Sequence, residues 1–356
     1  MRRGRERGAL WVLPPHLLTG EVVPLQEDRG TAVTAHRLIH YIYSMNKFKG
    51  FLYGMTASAT FGLLPLFTLP TMAEGMTTGS ILCYRMLFAS LLVAVLMMVR
   101  RVNFSVGVRE LSWLVLLGFF YYGSAALLFQ AYGSMSSGMA TTLHFLYPVG
   151  VTLIMAVLFK QRPSPFTIIA IVLALSGVAL LSLRGSGGED GNASLVGILL
   201  VLLSGLSYAI YLVTVNNVRR IREMDNLKLT LYVLLSSAGF FLINTSFSGG
   251  VQAIPSGSAL FNLLLLAFLP TLVSNLALVR AIKSIGSTLT SVLGAMEPLT
   301  AIVLGVVVFG ETISGTMALG ILLIIAAVTI IVLSPLLDKN IAERLRRFAQ
   351  RPIGRR

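Results

Sequence analysis

Apolar residues in this chain come in long unbroken runs, not at the 3.6- or 2-residue spacing that a half-buried helix or strand would show. Ten such runs are separated by short polar stretches: 48–69, 79–99, 111–130, 140–159 and 165–183, then 195–215, 229–247, 259–279, 289–309 and 316–333. About 20 apolar residues suffice for a helix to cross the hydrocarbon core. In lipid every backbone N–H and C=O must find its partner inside the protein, so each run is read as a helix. The pattern predicts an all-α polytopic membrane protein with ten transmembrane helices.

The stretches between the runs differ in charge. Those after the second, fourth, sixth and eighth runs hold Arg100, Arg101, Arg109, Lys160, Arg162, Arg219, Arg220, Arg222, Lys228, Arg280 and Lys283, whereas the odd-numbered ones hold only Arg184. Lys and Arg are retained on the cytoplasmic side. This places the even loops and both termini inside, with the chain in the cytoplasmic (inner) membrane. Residues 336–356 form a basic cytoplasmic tail whose Ile341, Leu345 and Phe348 sit at near-helical spacing, suited to the anionic inner leaflet.

The chain also repeats itself. At a constant offset of 150 residues, Ala131, Ser134, Ser137, Leu143, Pro148, Phe159 and Ser164 fall on Ala281, Ser284, Ser287, Leu293, Pro298, Phe309 and Ser314. The fourth run thus overlies the ninth and the fifth overlies the tenth. Five spans is an odd number, so the second copy enters the membrane from the opposite face. The charges agree: Lys160 and Arg162 overlie Gly310 and Thr312, while Lys283 overlies Gly133. The expected architecture is two inverted-topology five-helix repeats, 45–184 and 194–335, joined by an outer linker at 185–193. Such repeats recur in alternating-access transporters with a site near the bilayer midplane. Residues 1–44 read as a disordered extension ahead of a native start at Met45.

Composition narrows the function classes. Of 356 residues, 55% are hydrophobic and 12% charged, against about 25% charged in soluble domains, and mean hydropathy is +0.82. The net charge of +14 lies in loops and tails, with no soluble face to gather it, so nucleic acid is not an expected partner. Cys83 is the only cysteine, which excludes an intrachain disulfide. The Gly-rich stretch 185–191 lacks the Lys-Ser/Thr ending of a phosphate loop, and no metal-ligand or nucleophile motif is present. No cofactor, metal or catalytic residue is expected.

The stretch running from Gly294-Ala-Met-Glu-Pro to Phe309-Gly-Glu311, followed by Gly315-Thr-Met-Ala-Leu-Gly320, resembles the last two helices of the EamA-type drug/metabolite transporter superfamily. Tyr84-Arg85 in the second run also matches a habit of that family. The first copy departs from the pattern, with Tyr147 where Glu297 stands and Gln161 where Glu311 stands. The resemblance spans about residues 45–335. It implies movement of small polar metabolites such as amino acids, nucleotides or their derivatives.

Ionisable groups inside a membrane cost about 2.5–3.5 kcal/mol on insertion scales and are functional candidates by default. Glu297 lies mid-span beside Pro298, where it could take up a proton or pair with a cationic group, or act as a structural ion-pair partner. Arg85 is the opposite charge, suited to a carboxylate or phosphate by its forked donors. Its alternatives are snorkelling to headgroups or a fixed bridge to Glu297. His144 and Tyr147, three residues apart, share a helix face, and a histidine there suits either a proton relay or a packed hydrogen bond. Tyr208 and Tyr211 share a face of the sixth run, Tyr121-Tyr122 lie mid-run in the third, and Asn275 in the eighth. Each can line a polar cavity or simply pack. Pro65, Pro148, Pro270 and Pro298 interrupt four runs and would permit bending during gating.

The reading that follows is a secondary, non-ATP transporter of a small polar organic metabolite. Its partners are the substrate, the lipid bilayer and protons or a counter-substrate, with a homodimer as one assembly. A lipid scramblase or flippase-like protein and an intramembrane enzyme are the two alternatives.

Overall fold

Proline and glycine decide where these helices depart from α geometry. The computed structural model describes residues 46–131, 134, 140, 143–182, 195–309 and 315–349, and every regular element among them is helical. The expected extension 1–44, the linker 185–193 and Glu311 lie outside the described residues. In chain order the helices are α1 (46–61), α2 (Leu64–Ala73), α3 (Thr78–Val99), α4 (Val108–Ala131), α5 (Tyr147–Phe159) and α6 (Pro165–Ser182). After them come α7 (Leu195–Asn217), α8 (Arg219–Glu223), α9 (Asn226–Ser246), α10 (Gly257–Ala267), a π-helical turn (Phe268–Val273), α11 (Ser274–Leu293), α12 (Met296–Phe309) and α13 (Gly315–Ala349).

Among the described residues, six helical stretches are long and apolar enough to cross a membrane: Asn46–Ala73, Thr78–Val99, Val108–Ala131, Leu195–Asn217, Asn226–Ser246 and Gly257–Leu293. Tyr147–Phe159, Pro165–Leu180 and Ala318–Ile331 are apolar but shorter. The ten runs are met by six full-length stretches, three shorter helices and, for most of the ninth run, α12 (Met296–Phe309). One of the six is oversized. The 37 residues of Gly257–Leu293 would rise about 55 Å as one straight helix, nearly twice the ~30 Å hydrocarbon core.

Gly286 resolves the excess, because its backbone (φ 86°, ψ 166°) is not helical and breaks α11 near its middle. That combination is open essentially to glycine alone, and a side chain there stores about 1–3 kcal/mol of strain. Nothing lies within 4 Å of the position a Cβ would take, so the strain is purely one of backbone torsion. Gly286→Ala is expected to lower stability by that amount, read as a drop in the thermal midpoint of the detergent-solubilised protein. An unchanged midpoint would mean that the break is not needed.

The prolines act at the other breaks. Pro65 opens α2 and Pro148 opens α5, each at the first or second helical position, and Pro298 lies in the first turn of α12. A proline cannot donate to the carbonyl four residues back. The turn before each one tightens accordingly to i→i−3 bonds: Leu63 N to Thr60 O (3.2 Å), Leu146 N to Leu143 O (3.1 Å), and Ala295 N to Val292 O (3.2 Å).

Two pairs of helices related by the 150-residue offset pack on one another. α3 lies on α9, and α6 lies on α13. The second pair approaches at Gly177, where a Cβ would stand 2.8 Å from the Gly320 carbonyl oxygen. α4 meets α9 at Gly118, where a Cβ would overlap Ser236. Small residues at such crossings are how membrane helices gain van der Waals contact without a hydrophobic drive between them. Large apolar side chains such as Leu91, Leu153, Phe261 and Leu322 point outward, as a bundle in hydrocarbon requires.

Candidate functional site

The site begins with a missing proton. Pro270 has no N–H, so the carbonyl of Leu266 loses its helical donor, and the backbone widens into the π turn Phe268–Val273. The Thr271 hydroxyl replaces that donor, giving its proton to Leu266 O at 2.7 Å. Its lone pair then accepts from Arg85 Nε at 2.7 Å, while Pro270 O accepts from Arg85 Nη2 at 3.3 Å. Arg85 is 4% exposed, so it does not snorkel. No ion pair joins it to Glu297, since the ion pair among the described residues is Arg219–Glu223. Its anchor is the opened helix, a partner that neither sequence reading contained.

Thr271→Val keeps the shape but removes both bonds. It leaves Leu266 O and a guanidinium N–H unmatched in a buried place, at a cost of about 1–3 kcal/mol. The expected outcome is a lower unfolding midpoint than that of wild type in the same detergent. A midpoint equal to wild type would show that Arg85 is held by something else.

The same turn places Asn275. Its Nδ2 donates to Thr271 O (2.8 Å) and to the Tyr121 hydroxyl (3.0 Å), tying α11 to α4. From Tyr121 a chain of rings continues. Tyr121 lies 5.4 Å from Tyr211, Tyr211 stacks with Tyr208 at 6.1 Å, and Tyr208 meets Tyr147 edge-on at 4.8 Å. His144 closes the chain, 5.7 Å from Tyr147 and 6.1 Å from Tyr208. The i, i+3 spacings put Tyr208 beside Tyr211 and His144 beside Tyr147, the latter despite the turn at 145–146.

His144 is held from behind. Ser204 gives its hydroxyl proton to the carbonyl of Ser124, so the contact between Ser204 Oγ and His144 Nδ1 at 3.0 Å needs the proton on Nδ1. Neutral His144 then presents Nε2 as an acceptor. This is the packed-histidine geometry, with one nitrogen left for further chemistry.

Glu297 stands at the start of α12 and is partly buried. Its carboxylate lies within electrostatic reach of Arg85, Tyr147 and Tyr208, yet no described residue makes a hydrogen bond or ion pair with it. Its backbone is pinned, because Gly62 of the turn before α2 brings its Cα against Glu297 O. One turn earlier, Gly294 lies under the Tyr147 hydroxyl so closely that a Cβ would overlap it. Gly294 is the offset partner of His144, as Glu297 is of Tyr147, so the matched segments of the two repeats meet here.

The structure thus brings together Arg85, Asn275, Tyr147, Tyr208, Tyr211, His144 and Glu297, and it sets Pro65, Pro148, Pro270 and Pro298 at helix breaks. Sequence reasoning weighed Tyr121 as a residue that lines a polar cavity or packs, and missed Thr271, Ser204 and Gly294. A threonine directly after a mid-span proline was the available signal for Thr271. A cavity of about 190 Å³ lies elsewhere, near Gly286, between the ends of α5, α6, α7 and the broken α11.

Comparison with known proteins adds the following. A profile described as the EamA-like transporter family matches residues 48–183 and again 195–333. Comparison with curated proteins gives no match. One solved structure, described only as a crystal structure of a protein, is similar at 19% identity with a TM-score of 0.69. The alignment covers 82% of this chain and 98% of that one, and it speaks to the fold alone.

Proposed function

Because this chain belongs to the EamA-like transporter family, we propose that it carries a small polar organic metabolite, amino-acid- or nucleotide-like, across the cytoplasmic membrane by alternating access. The membrane would hold ten helices as two inverted repeats, with Gly286 as the turn between the eighth and ninth. Both termini would face the cytoplasm, on the charge distribution of the loops. Glu297, Arg85 and the tyrosine chain form the substrate or coupling site, and the proline breaks are where the two repeats bend.

The observation that carries this reading is the Glu297 carboxyl. It is an acid inside an apolar bundle, without a partner among the described residues, and it lies within electrostatic reach of Arg85, Tyr147 and Tyr208. A group placed at such cost is a functional site by default. With no nucleotide-binding motif in the sequence, the driving force is assigned to a proton, an exchanged solute or the substrate's own gradient.

The test is a thermal-shift screen of the purified full chain against amino acids, nucleotides, sulfonium compounds and polyamines, with Glu297→Gln alongside. A ligand at a hundred times its Kd stabilises by about 2.7 kcal/mol. A hit present in wild type and absent in the variant supports the reading. A hit unchanged in the variant removes Glu297 from the site, and no hit from a folded sample shifts the weight to lipid handling.

A further inference from the structure

α3 and α9, one helix from each repeat, are fastened to one another at both ends. At the first end Gln252, in the loop after α9, is gripped by the turn between α2 and α3. Its backbone N–H donates to Ser80 Oγ at 3.0 Å, and its carbonyl accepts from the Tyr84 hydroxyl at 2.8 Å. Its side-chain oxygen accepts from the Thr77 N–H. Ser256 adds a bond from its hydroxyl to the Glu74 carboxylate. At the other end the loop after α3 is held by the start of α9. Lys228 Nζ donates to Ser105 O at 2.9 Å, and the Tyr232 hydroxyl donates to Phe104 O at 2.7 Å. Between these ends the two helices pack on one another, and at Gly79 a Cβ would stand only 2.9 Å from Thr245.

The chain after Gly286 is built differently. The non-helical torsion at Gly286 frees it on one side, and the tightened turn ahead of Pro298 interrupts it again at 294–295. Residues 287–293 are thus a short helical piece with a break at each end, leading into α12 and Glu297. The cavity of about 190 Å³ beside Gly286 leaves room for that piece to shift. α1 meets it through Gly54, and the following turn meets α12 through Gly62, so bare backbone faces Leu293 and Thr300.

Alternating access parts helices on one side of the membrane while closing them on the other. A helix pair clasped at both ends parts on neither side. We propose that α3 and α9 form a fixed spine and that the segment from Ser287 into α12 moves against it. Arg85 then stands on the fixed part and Glu297 on the moving part, so their separation changes through the cycle. A permanent bridge between them would tie the two parts together. Arg85 is bonded instead to Thr271 and Pro270, which precede the Gly286 break. The inference rests on the transporter reading above and divides its site between two bodies.

The experiment is hydrogen–deuterium exchange on the full chain in phosphatidylcholine nanodiscs, which requires no substrate. In a Cys83→Ala background, Ser80→Cys with Gln252→Cys puts two thiols where the Gln252 N–H meets Ser80 Oγ. Oxidation closes the bridge and dithiothreitol opens it. Amides of 287–297 are expected to exchange about tenfold faster than those in the middle of α3 and α9. Closing the bridge is expected to change the rate at 287–297 by less than about twofold. Slowing beyond that makes the clasp part of the motion and overturns the proposal. Rates at 287–297 equal to those of α3 overturn it as well, and a bridge that fails to form overturns the clasp itself. Gln252→Ala opens the same clasp without new cysteines, so it serves if the paired variant folds poorly. Faster exchange confined to 74–84 supports the spine, and faster exchange that spreads to 287–297 sinks it. Failure of the transporter reading shows separately, as a thermal-shift screen without a hit.

Discussion

Glu297→Gln is expected to lower gradient-driven substrate uptake in proteoliposomes by about 100-fold, equivalent to about 2.7 kcal/mol at 1.36 kcal/mol per tenfold. Glutamine keeps the shape of the side chain, and the backbone carbonyl of residue 297 stays against Gly62. It removes the carboxylate, the one acid near Arg85, Tyr147 and Tyr208 among the described residues. If Glu297 takes up the driving proton, the variant still exchanges labelled for unlabelled substrate but no longer follows an imposed pH gradient. If it pairs with a cationic group of the substrate, exchange is lost as well. Uptake that still tracks the pH gradient, within about threefold of wild type, would remove Glu297 from the coupling mechanism altogether.

The second large effect concerns the place where the two repeats touch. Gly294→Ala puts a methyl group where the Tyr147 hydroxyl already sits. Overpacking of this kind costs about 1–3 kcal/mol, and transport is expected to fall with it, because the tyrosine must swing out of the ring chain. The worst overlap is with the hydroxyl oxygen, ahead of the Ser291 carbonyl oxygen at 2.8 Å and the Tyr147 ring carbon at 3.0 Å from the added Cβ. Tyr147→Phe should therefore recover part of the loss, giving a coupling of about 1 kcal/mol in a double-mutant cycle read from thermal midpoints. Strictly additive losses would mean that the two residues do not meet as the structure places them.

The membrane class, the two repeats and the family were legible in the sequence because an outside medium imposes them. Hydrocarbon thickness sets the length of an apolar run, and that signal survives in one dimension. The breaks were half legible. Pro148 and Pro298 announce themselves by residue type, but Gly286 is one of 33 glycines, and nothing in its neighbours marks the single non-helical torsion it supplies. The eighth run and the first residues of the ninth appear in the structure as one interrupted stretch, Gly257–Leu293, and the rest of the ninth forms α12.

Arg85 shows why the site was harder to read than the fold. Its charge and depth were plain, but both sequence alternatives looked for a partner that was charged or outside the membrane. The actual acceptors, Thr271 Oγ and Pro270 O, are ordinary residues 186 and 185 positions away. They become acceptors only because a proline opens the helix that carries them. By contrast, the His144–Tyr147 and Tyr208–Tyr211 neighbours were visible, since three-residue spacing acts within one segment.

The π turn at Pro270 has a consequence for how sequences of this kind should be compared. A π turn amounts to one extra residue in an α-helix, and one residue is about 100° of rotation. Everything after Val273 is therefore clocked round relative to an uninterrupted helix, which is what lets Asn275 reach Tyr121. A related chain without the proline would keep the same facing residues only by lacking one position inside the span. Alignments that forbid gaps within membrane helices will then pair Asn275 with the wrong column and mistake a preserved contact for a lost one.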